Sequence, residues 1–345
     1  MKMLAKTTRA TKRAASRMRS ARLALVLPLV LAVAAVAACG GGEEADTEGQ
    51  GQGTSSPTAT MAPSPSGTET LTRFGTTRWE RGADGLKETR AVAREYAAAV
   101  RERAVSPRVA EFYAAEFTLD AWLDRTRVDD EMTAKYTWGI WESNLYWSPA
   151  AQMYVAPGVA VIAGAVMDDP DDPTMVLPYV DMLAVSDGKI THEEIIGDPH
   201  ETGVVTKGWK ATTAPAGADD TAKEARAAAD TVREVLSRTG DFAALEKVYD
   251  PDIVFLDTST DGPLRGVDAV LAWHEGTTKI AGIESLAIEP PMAGPGWAVL
   301  RTRTGGTIDN MDAFSVPGAI VMDIRGGKVV RMKVYYDSTV VDLSP

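Results

Sequence analysis

The sequence predicts an α+β protein built twice: two tandem units, each with amino-terminal helices packed on a curved antiparallel sheet, behind a leader and a tether. Three observations predict it. Helical periodicity near Leu86 and again near Asp219 is followed each time by strand-like segments. One hairpin pattern occurs twice at constant spacing. Residues 40 to about 70, before the first unit, are almost devoid of apolar side chains.

Met1 to Arg22 carries eight Lys or Arg and no acid, and Leu23 to Ala38 is a sixteen-residue apolar run broken only by Pro28. A bilayer span needs about 20 apolar residues, so this is the charged region and apolar region of an export signal, residues 1–38. It ends in Val36-Ala37-Ala38-Cys39, which resembles the bacterial lipobox. The resemblance implies lipidation of Cys39, the only cysteine, and attachment to the extracytoplasmic face of the cell membrane. An uncleaved anchor and an ordinary secretory peptide are the alternatives. With its one cysteine committed to lipid, the chain has no disulfide or thiolate metal site.

Removing eight cations from a net charge of −12 leaves −20. Such a surface repels phosphate backbones and argues against nucleic acid as a partner. Residues 39–70, rich in Gly, Ser, Thr, Pro and Glu, cannot bury enough surface to offset ordering and read as a disordered tether. The first folded unit is expected over 71–207, a linker over 208–218, and the second unit over 219–345.

Each unit opens on a helix, Leu86 to Arg103 and Asp219 to Arg238; the second shows a stripe of Ala222, Ala225, Ala229, Val232, Val235 and Leu236. Asp241 is an N-cap for a helix with Phe242, Leu245 and Val248 inward. Ile253 to Leu256 reads as a strand and Asp268 to His274 as a short helix. Strands follow near 283–289, 296–304, 312–324 and 328–337. The repeated hairpin sets Leu177-Pro178-Tyr179 through Asp198 against Val316-Pro317-Gly318 through Asp337 at an offset of 139, with tight turns at Asp187-Gly188 and Gly326-Gly327.

Thr239-Gly240-Asp241-Phe242, Tyr249-Asp250-Pro251-Asp252-Ile253-Val254-Phe255, Asp257, Gly262-Pro263-Leu264-Arg265-Gly266 with Trp273, and Gly327-Lys328-Val329-Val330 to Tyr335-Tyr336-Asp337 carry a family resemblance. The second unit resembles the SnoaL-like branch of the NTF2-like superfamily, which includes ketosteroid isomerase and limonene epoxide hydrolase. The first unit resembles it mainly through Val176 to Asp198. The resemblance implies two tandem NTF2-like (cystatin-like) cones, each with a deep pocket suited to an apolar small molecule.

The resemblance also sets out what chemistry would need. Asp257 stands where ketosteroid isomerases carry the aspartate that moves the proton. The positions of their tyrosine and protonated aspartate fall near Arg233 and Ile320, so the oxyanion stabiliser is missing. Of the Asp-Arg-Asp set of limonene epoxide hydrolase, Asp337 matches the last acid and Arg303 falls close to the arginine. The remaining acid would lie near Gly305, and Asp309 replaces it only if the strand bulges. The catalytic candidates are therefore Asp257, Arg303, Asp337 and His274, and the pocket candidates Trp273, Tyr335, Asp337 and Asp257.

His274 is expected at a pocket mouth or against carbonyls at a helix end. His192 with Glu193 and Glu194 is expected on a solvated strand edge. His200, beside Asp198 and Glu201, has no recognised ligand spacing, so neither metal nor other cofactor is expected. Arg301 and Arg303 read as a salt-bridged surface or a polar pocket wall. Trp138, Trp141, Tyr146 and Trp147 read as core or as a cavity lining.

With both catalytic sets incomplete, the reading leans away from an enzyme. A membrane-anchored module that binds a small apolar ligand or an envelope protein comes first. The alternatives are a scaffold in which the two units pair through their sheets, and a SnoaL-like isomerase, cyclase or hydrolase acting on a cyclic apolar substrate.

Overall fold

Two sheets, each carrying its own helices, follow one another along the chain. The computed structural model describes residues 69–70, 80–122, 126–147, 152–167, 176–197, 221–237, 242–257, 260, 262–277, 283–306 and 314–336, all within the unit Gly67–Pro345. The leader with Cys39, the tether up to residue 68, the 208–218 linker, Asp198, His200, Asp241, Asp309 and Asp337 lie outside the described residues, while Glu69 and Thr70, expected in the disordered tether, instead pair with Arg127 and Thr126 as a strand.

The first half contains β1 (Glu69–Thr70), α1 (Leu86–Glu102), a 3-10 turn, α2 (Val109–Phe112), β2 (Tyr113–Ala121), β3 (Thr126–Val128), α3 (Glu131–Asn144) and β4 (Tyr146–Trp147). It continues with β5 (Gln152–Ala156), β6 (Val159–Met167), β7 (Val176–Ser186) and β8 (Lys189–Gly197). The second half contains α4 (Ala222–Ser237), a 3-10 segment Phe242–Lys247, β9 (Tyr249–Leu256), β10 (Leu264–Arg265) and α5 (Val267–Thr277). Then come β11 (Ile283–Ile288), β12 (Met292–Gly294), β13 (Trp297–Gly306), β14 (Phe314–Arg325) and β15 (Lys328–Tyr336).

The sheet orders are β1-β3-β2-β8-β7-β6-β4, with β5 on β6, and β10-β9-β15-β14-β13-β11, with β12 on β13. Both sheets are antiparallel except where the last strand of each half pairs in parallel with an early one, β8 with β2 and β15 with β9. That pairing corrects one expectation. The strand carrying His192, Glu193 and Glu194 is interior, not an edge, and both glutamates are buried on opposite faces.

Helix α1 buries Thr89, Ala93, Tyr96, Ala99 and Val100, then stops at Arg103, whose φ of 58° breaks the ladder. Helix α4 buries Ala225, Ala228, Ala229, Val232 and Leu236. The stripe Thr89, Ala93, Tyr96, Val100 thus repeats 136 positions later as Ala225, Ala229, Val232, Leu236. The helix expected after Asp241 is a 3-10 segment, because its two anchors, Phe242 and Leu245, stand three residues apart. Both predicted hairpin turns have positive φ at their two central residues: Asp187 53° and Gly188 71°, Gly326 57° and Gly327 69°. Only turns of that hand match the twist of the flanking strands.

The sheet faces turned away from the helices pack on one another. Trp122, Tyr154, Val161, Met182 and Ile196 of the first half share an apolar cluster with Trp297, Val299, Val321 and Tyr335 of the second. Polar contacts cross the same seam. Arg301 donates to both oxygens of Glu194 at 2.7 and 2.9 Å, while Trp122 Nε1, from the same half as Glu194, donates to it at 3.1 Å. Tyr154 Oη donates to Asp323 at 2.9 Å, and Lys333 Nζ donates to Gln152 at 2.8 Å.

Candidate functional site

The helix-facing interior of each sheet is where the fold gathers side chains. In the second half, Tyr249, Ile253 and Phe255 alternate inward from β9 beneath the inner stripe of α5, Val270, Trp273 and His274. His274 is 4% exposed and its Nε2 lies 3.0 Å from Tyr249 Oη. Its ring stacks on Phe242 at 5.6 Å and meets Phe255 and Trp273 edge-on. Burial lowers its pKa to about 3, so the imidazole is neutral at physiological pH. His274 is therefore a core residue, not one at a mouth, because its position on the 270–274 stripe turns it inward. Trp273 packs against Phe255 at 4.6 Å.

Asp257 follows the end of β9, fully buried, and accepts a hydrogen bond of 3.0 Å from Tyr336 Oη. Strand alternation then turns the neighbouring Tyr335 to the opposite face, into the cluster shared by the two sheets. Arg303 lies on β13 two residues from Arg301, and its electrostatic neighbours are Glu194, Arg301 and Glu289. Desolvation, chiefly, lowers its pKa. Arg301 itself is buried between Glu194 and Glu289, with both carboxylates at 2.7 Å. Asp257 with Trp273 and His274, and Arg303 with Tyr335, thus serve different faces of one sheet. Asp337 lies outside the described residues.

The first half holds a different interior at equivalent positions. Tyr96 on α1 donates to Glu193 Oε1 at 2.5 Å, and Tyr113 on β2 donates to Oε2. Trp138 on α3 donates to Tyr113 Oη at 3.0 Å. Asp181 on β7 pairs with Ile195, while Leu183 pairs with Glu193, so the two acids sit on one face one diagonal step apart. Burial raises the pKa of both carboxyls. The charge of Glu193 raises that of Asp181 further, while bonds from Tyr113 and Tyr96 pull Glu193 partly back. Two such acids cannot both ionise cheaply and share a proton.

Asp181 Oδ1 and Trp147 Nε1 are buried without a hydrogen-bond partner. Around them Trp138 meets Trp141 at 4.9 Å and Trp147 at 5.8 Å, and Trp147 meets Tyr179 at 4.8 Å. Arg103 lies 4.6 Å above the ring of Tyr146. The tryptophans of this aromatic cluster are inner wall, packed within the first half.

The sequence reading passed over Tyr96, Tyr113 and Asp181, and took Glu193 only as part of a solvated strand edge. The signal was the repeat itself, extended upstream of the hairpin. Tyr113 and Trp138 stand 136 positions before Tyr249 and His274, and Tyr96 the same distance before Val232. Asp181 and Glu193 stand 139 before Ile320 and Met332. The second half keeps the tyrosine but places Met332 Sδ 3.9 Å from it, where the first has a carboxylate. A proton-sharing acid pair is a general acid-base device in an open site. Here Glu193 and Tyr96 are 0% exposed and Tyr113 3%. Among the described residues no group of three or more His, Cys, Asp or Glu is placed to hold a metal ion.

This arrangement, an amphipathic helix and a strand ending in Asp257 ahead of α5 and the closing hairpin, has a family counterpart. Residues 229–332 match the SnoaL-like domain. The SnoaL-like stretch runs from within α4 to within β15 and so takes in Asp257, Trp273, His274 and Arg303. No curated protein matches the chain. Among solved structures, a candidate SnoaL-like polyketide cyclase from Jannaschia sp. is 13% identical, with 39% of this chain and 97% of that one covered and a TM-score of 0.31. A Catenulispora acidiphila protein with a ketosteroid isomerase-like fold, solved with trimethylamine, is 20% identical over 32% and 85%, TM-score 0.28. An epoxide hydrolase of the limonene type from M. tuberculosis is 16% identical over 34% and 86%, TM-score 0.29.

Proposed function

We propose that this chain is a non-catalytic, lipid-anchored extracytoplasmic scaffold, in which two SnoaL-like halves, one the 71–207 unit and one the 219–345 unit, pair through their sheets and present a protein-binding surface at the envelope. One observation carries the non-catalytic part. Among the described residues, the polar groups that chemistry would use are engaged within the fold: Asp257 buried under Tyr336, His274 buried and neutral among Phe242, Tyr249 and Phe255, and the half-buried Arg303 across the sheet beside Glu194 and Glu289. Arg303, on the opposite face of the sheet, cannot act on the same substrate as Asp257 and His274. The buried Arg301–Glu194 pair and the shared apolar cluster support the pairing. Anchorage rests on the lipobox-like Val36-Ala37-Ala38-Cys39.

Expressed in its own cells, the wild type should sediment with membranes and incorporate a clickable fatty acid, while Cys39→Ser should do neither. Equal behaviour of the two proteins would refute anchorage. A second reading, a small ligand held in the first half, is favoured by the unmet hydrogen bonds of Asp181 Oδ1 and Trp147 Nε1. It requires that a ligand panel raise the melting temperature of the wild type and not of Asp181→Asn; equal shifts would discard it.

A further inference from the structure

The outer face of α1 gathers cations in an acidic chain. Lys87, Arg90 and Arg94 recur at helical spacing and, with Leu86 and Ala91, line a surface hollow of about 480 Å³. Several other cations of the structure are paired: Arg108 with Glu95 and Glu111, Arg127 with Asp120, Arg331 with Asp323. Lys87, Arg90 and Arg94 have no ion pair among the described residues. Arg81 lies close enough to Arg226 on α4 for that charge, after burial, to lower its pKa. Arg226 and Lys223 are the repeat counterparts, 136 positions on, of Arg90 and Lys87.

The acids nearest in sequence are turned to other work. Glu95 holds Arg108, and Glu224 bonds the backbone and hydroxyl of Thr221. Glu88 lies in the first turn of α1, beside its amino-terminal dipole. In a chain of net charge −12, unpaired cations gathered on one face repel one another unless an anion meets them. The hollow also has an apolar side, with Leu86 37% exposed.

We propose that this face of α1 docks on an anionic phospholipid surface, with Lys87, Arg90 and Arg94 on headgroup phosphates and Leu86 in the interfacial layer. The proposal rests on the anchoring reading, which brings the face to a bilayer. Cys39 stands 30 residues before Glu69 of β1, and a flexible chain of that length would span about 30 Å. Docking would fix the orientation of the two halves on the membrane.

The test uses the mature chain with Cys39→Ser, which cannot carry lipid, so that only the protein surface is read. It should co-sediment with vesicles of phosphatidylglycerol and phosphatidylcholine, not with phosphatidylcholine alone, and release as salt screens the contact. The triple variant Lys87→Glu, Arg90→Glu, Arg94→Glu, on exposed positions, should bind at least fivefold more weakly per side chain, the equivalent of about 1 kcal/mol each. A thermal melt confirms that the variant is folded. Equal binding to both vesicle types, or an unaltered triple variant, overturns the proposal. So does stabilisation by millimolar inorganic phosphate without vesicle binding, which would make the face a free-anion site. Fatty-acid incorporation by the wild type reads anchorage alone, so the two ideas fail separately.

Discussion

Replacing Glu193 by Gln tests the buried acid pair of the first half. Gln has the shape of the protonated acid: its carbonyl accepts from one tyrosine, and its amide donates toward the other or toward Asp181. In the wild type, burial chiefly lifts the Glu193 carboxyl from 4.5 to about 7. A tenfold change in proton affinity is about 1.4 kcal/mol, so the displacement is worth about 3 kcal/mol of pH-dependent stability. The folded pKa lies above the unfolded one, so this stability is full below pH 4.5 and is lost as pH rises through about 7. Glu193→Gln stays neutral and loses none of this contribution, while buried Asp181, its pKa raised chiefly by desolvation, keeps a pH dependence of its own in both proteins. Near pH 4.5 the variant should be less stable than wild type by about 1 kcal/mol, for one imperfect hydrogen bond. By pH 8 the difference should have moved in its favour by about 3 kcal/mol. Urea unfolding followed by tryptophan fluorescence and circular dichroism at stepped pH measures both curves. Parallel pH dependence of the two proteins would refute a proton held by this pair.

His274, with its pKa depressed to about 3 by burial, should show no imidazole titration between pH 5 and 8 by NMR. His274→Phe should remove the part of acid destabilisation that develops as pH falls from 6.5 toward 3. Arg301→Ala leaves the buried Glu194 uncompensated and should cost about 3–5 kcal/mol in a denaturant titration, whereas replacing Arg301 and Glu194 together by Met and Leu should recover most of it. Tyr336→Phe removes a donor to the buried Asp257 and should cost about 1–3 kcal/mol, read by thermal melting at neutral pH.

The elements were legible where local chemistry decides them. The α1 and α4 stripes, the Asp187-Gly188 and Gly326-Gly327 turns and the α5 segment follow from periodicity and from residues that tolerate positive φ. Non-local pairing was not legible. The strand with His192 reads as an edge from its charges, and only the parallel pairing with β2 makes it interior. Alternation separates Tyr335 from Tyr336, yet says nothing of which face another sheet covers; both faces are buried here, so both tyrosines look alike. Arg301 and Arg303 suffer the same ambiguity, resolved by Glu194 arriving from the other half. The acid pair was hidden because neither Asp181 nor Glu193 has a neighbour in sequence that marks it. Its partners Tyr96, Tyr113 and Trp138 come from two helices and a distant strand.

Native mass spectrometry of the protein extracted from its own membranes tests most directly whether it is an anchored scaffold with closed interiors. The predicted spectrum is a polypeptide beginning at Cys39, heavier by its lipid, with no other small molecule retained. An organic molecule that stays bound under native conditions and leaves on denaturation, or a mass that still includes the leader, would contradict it.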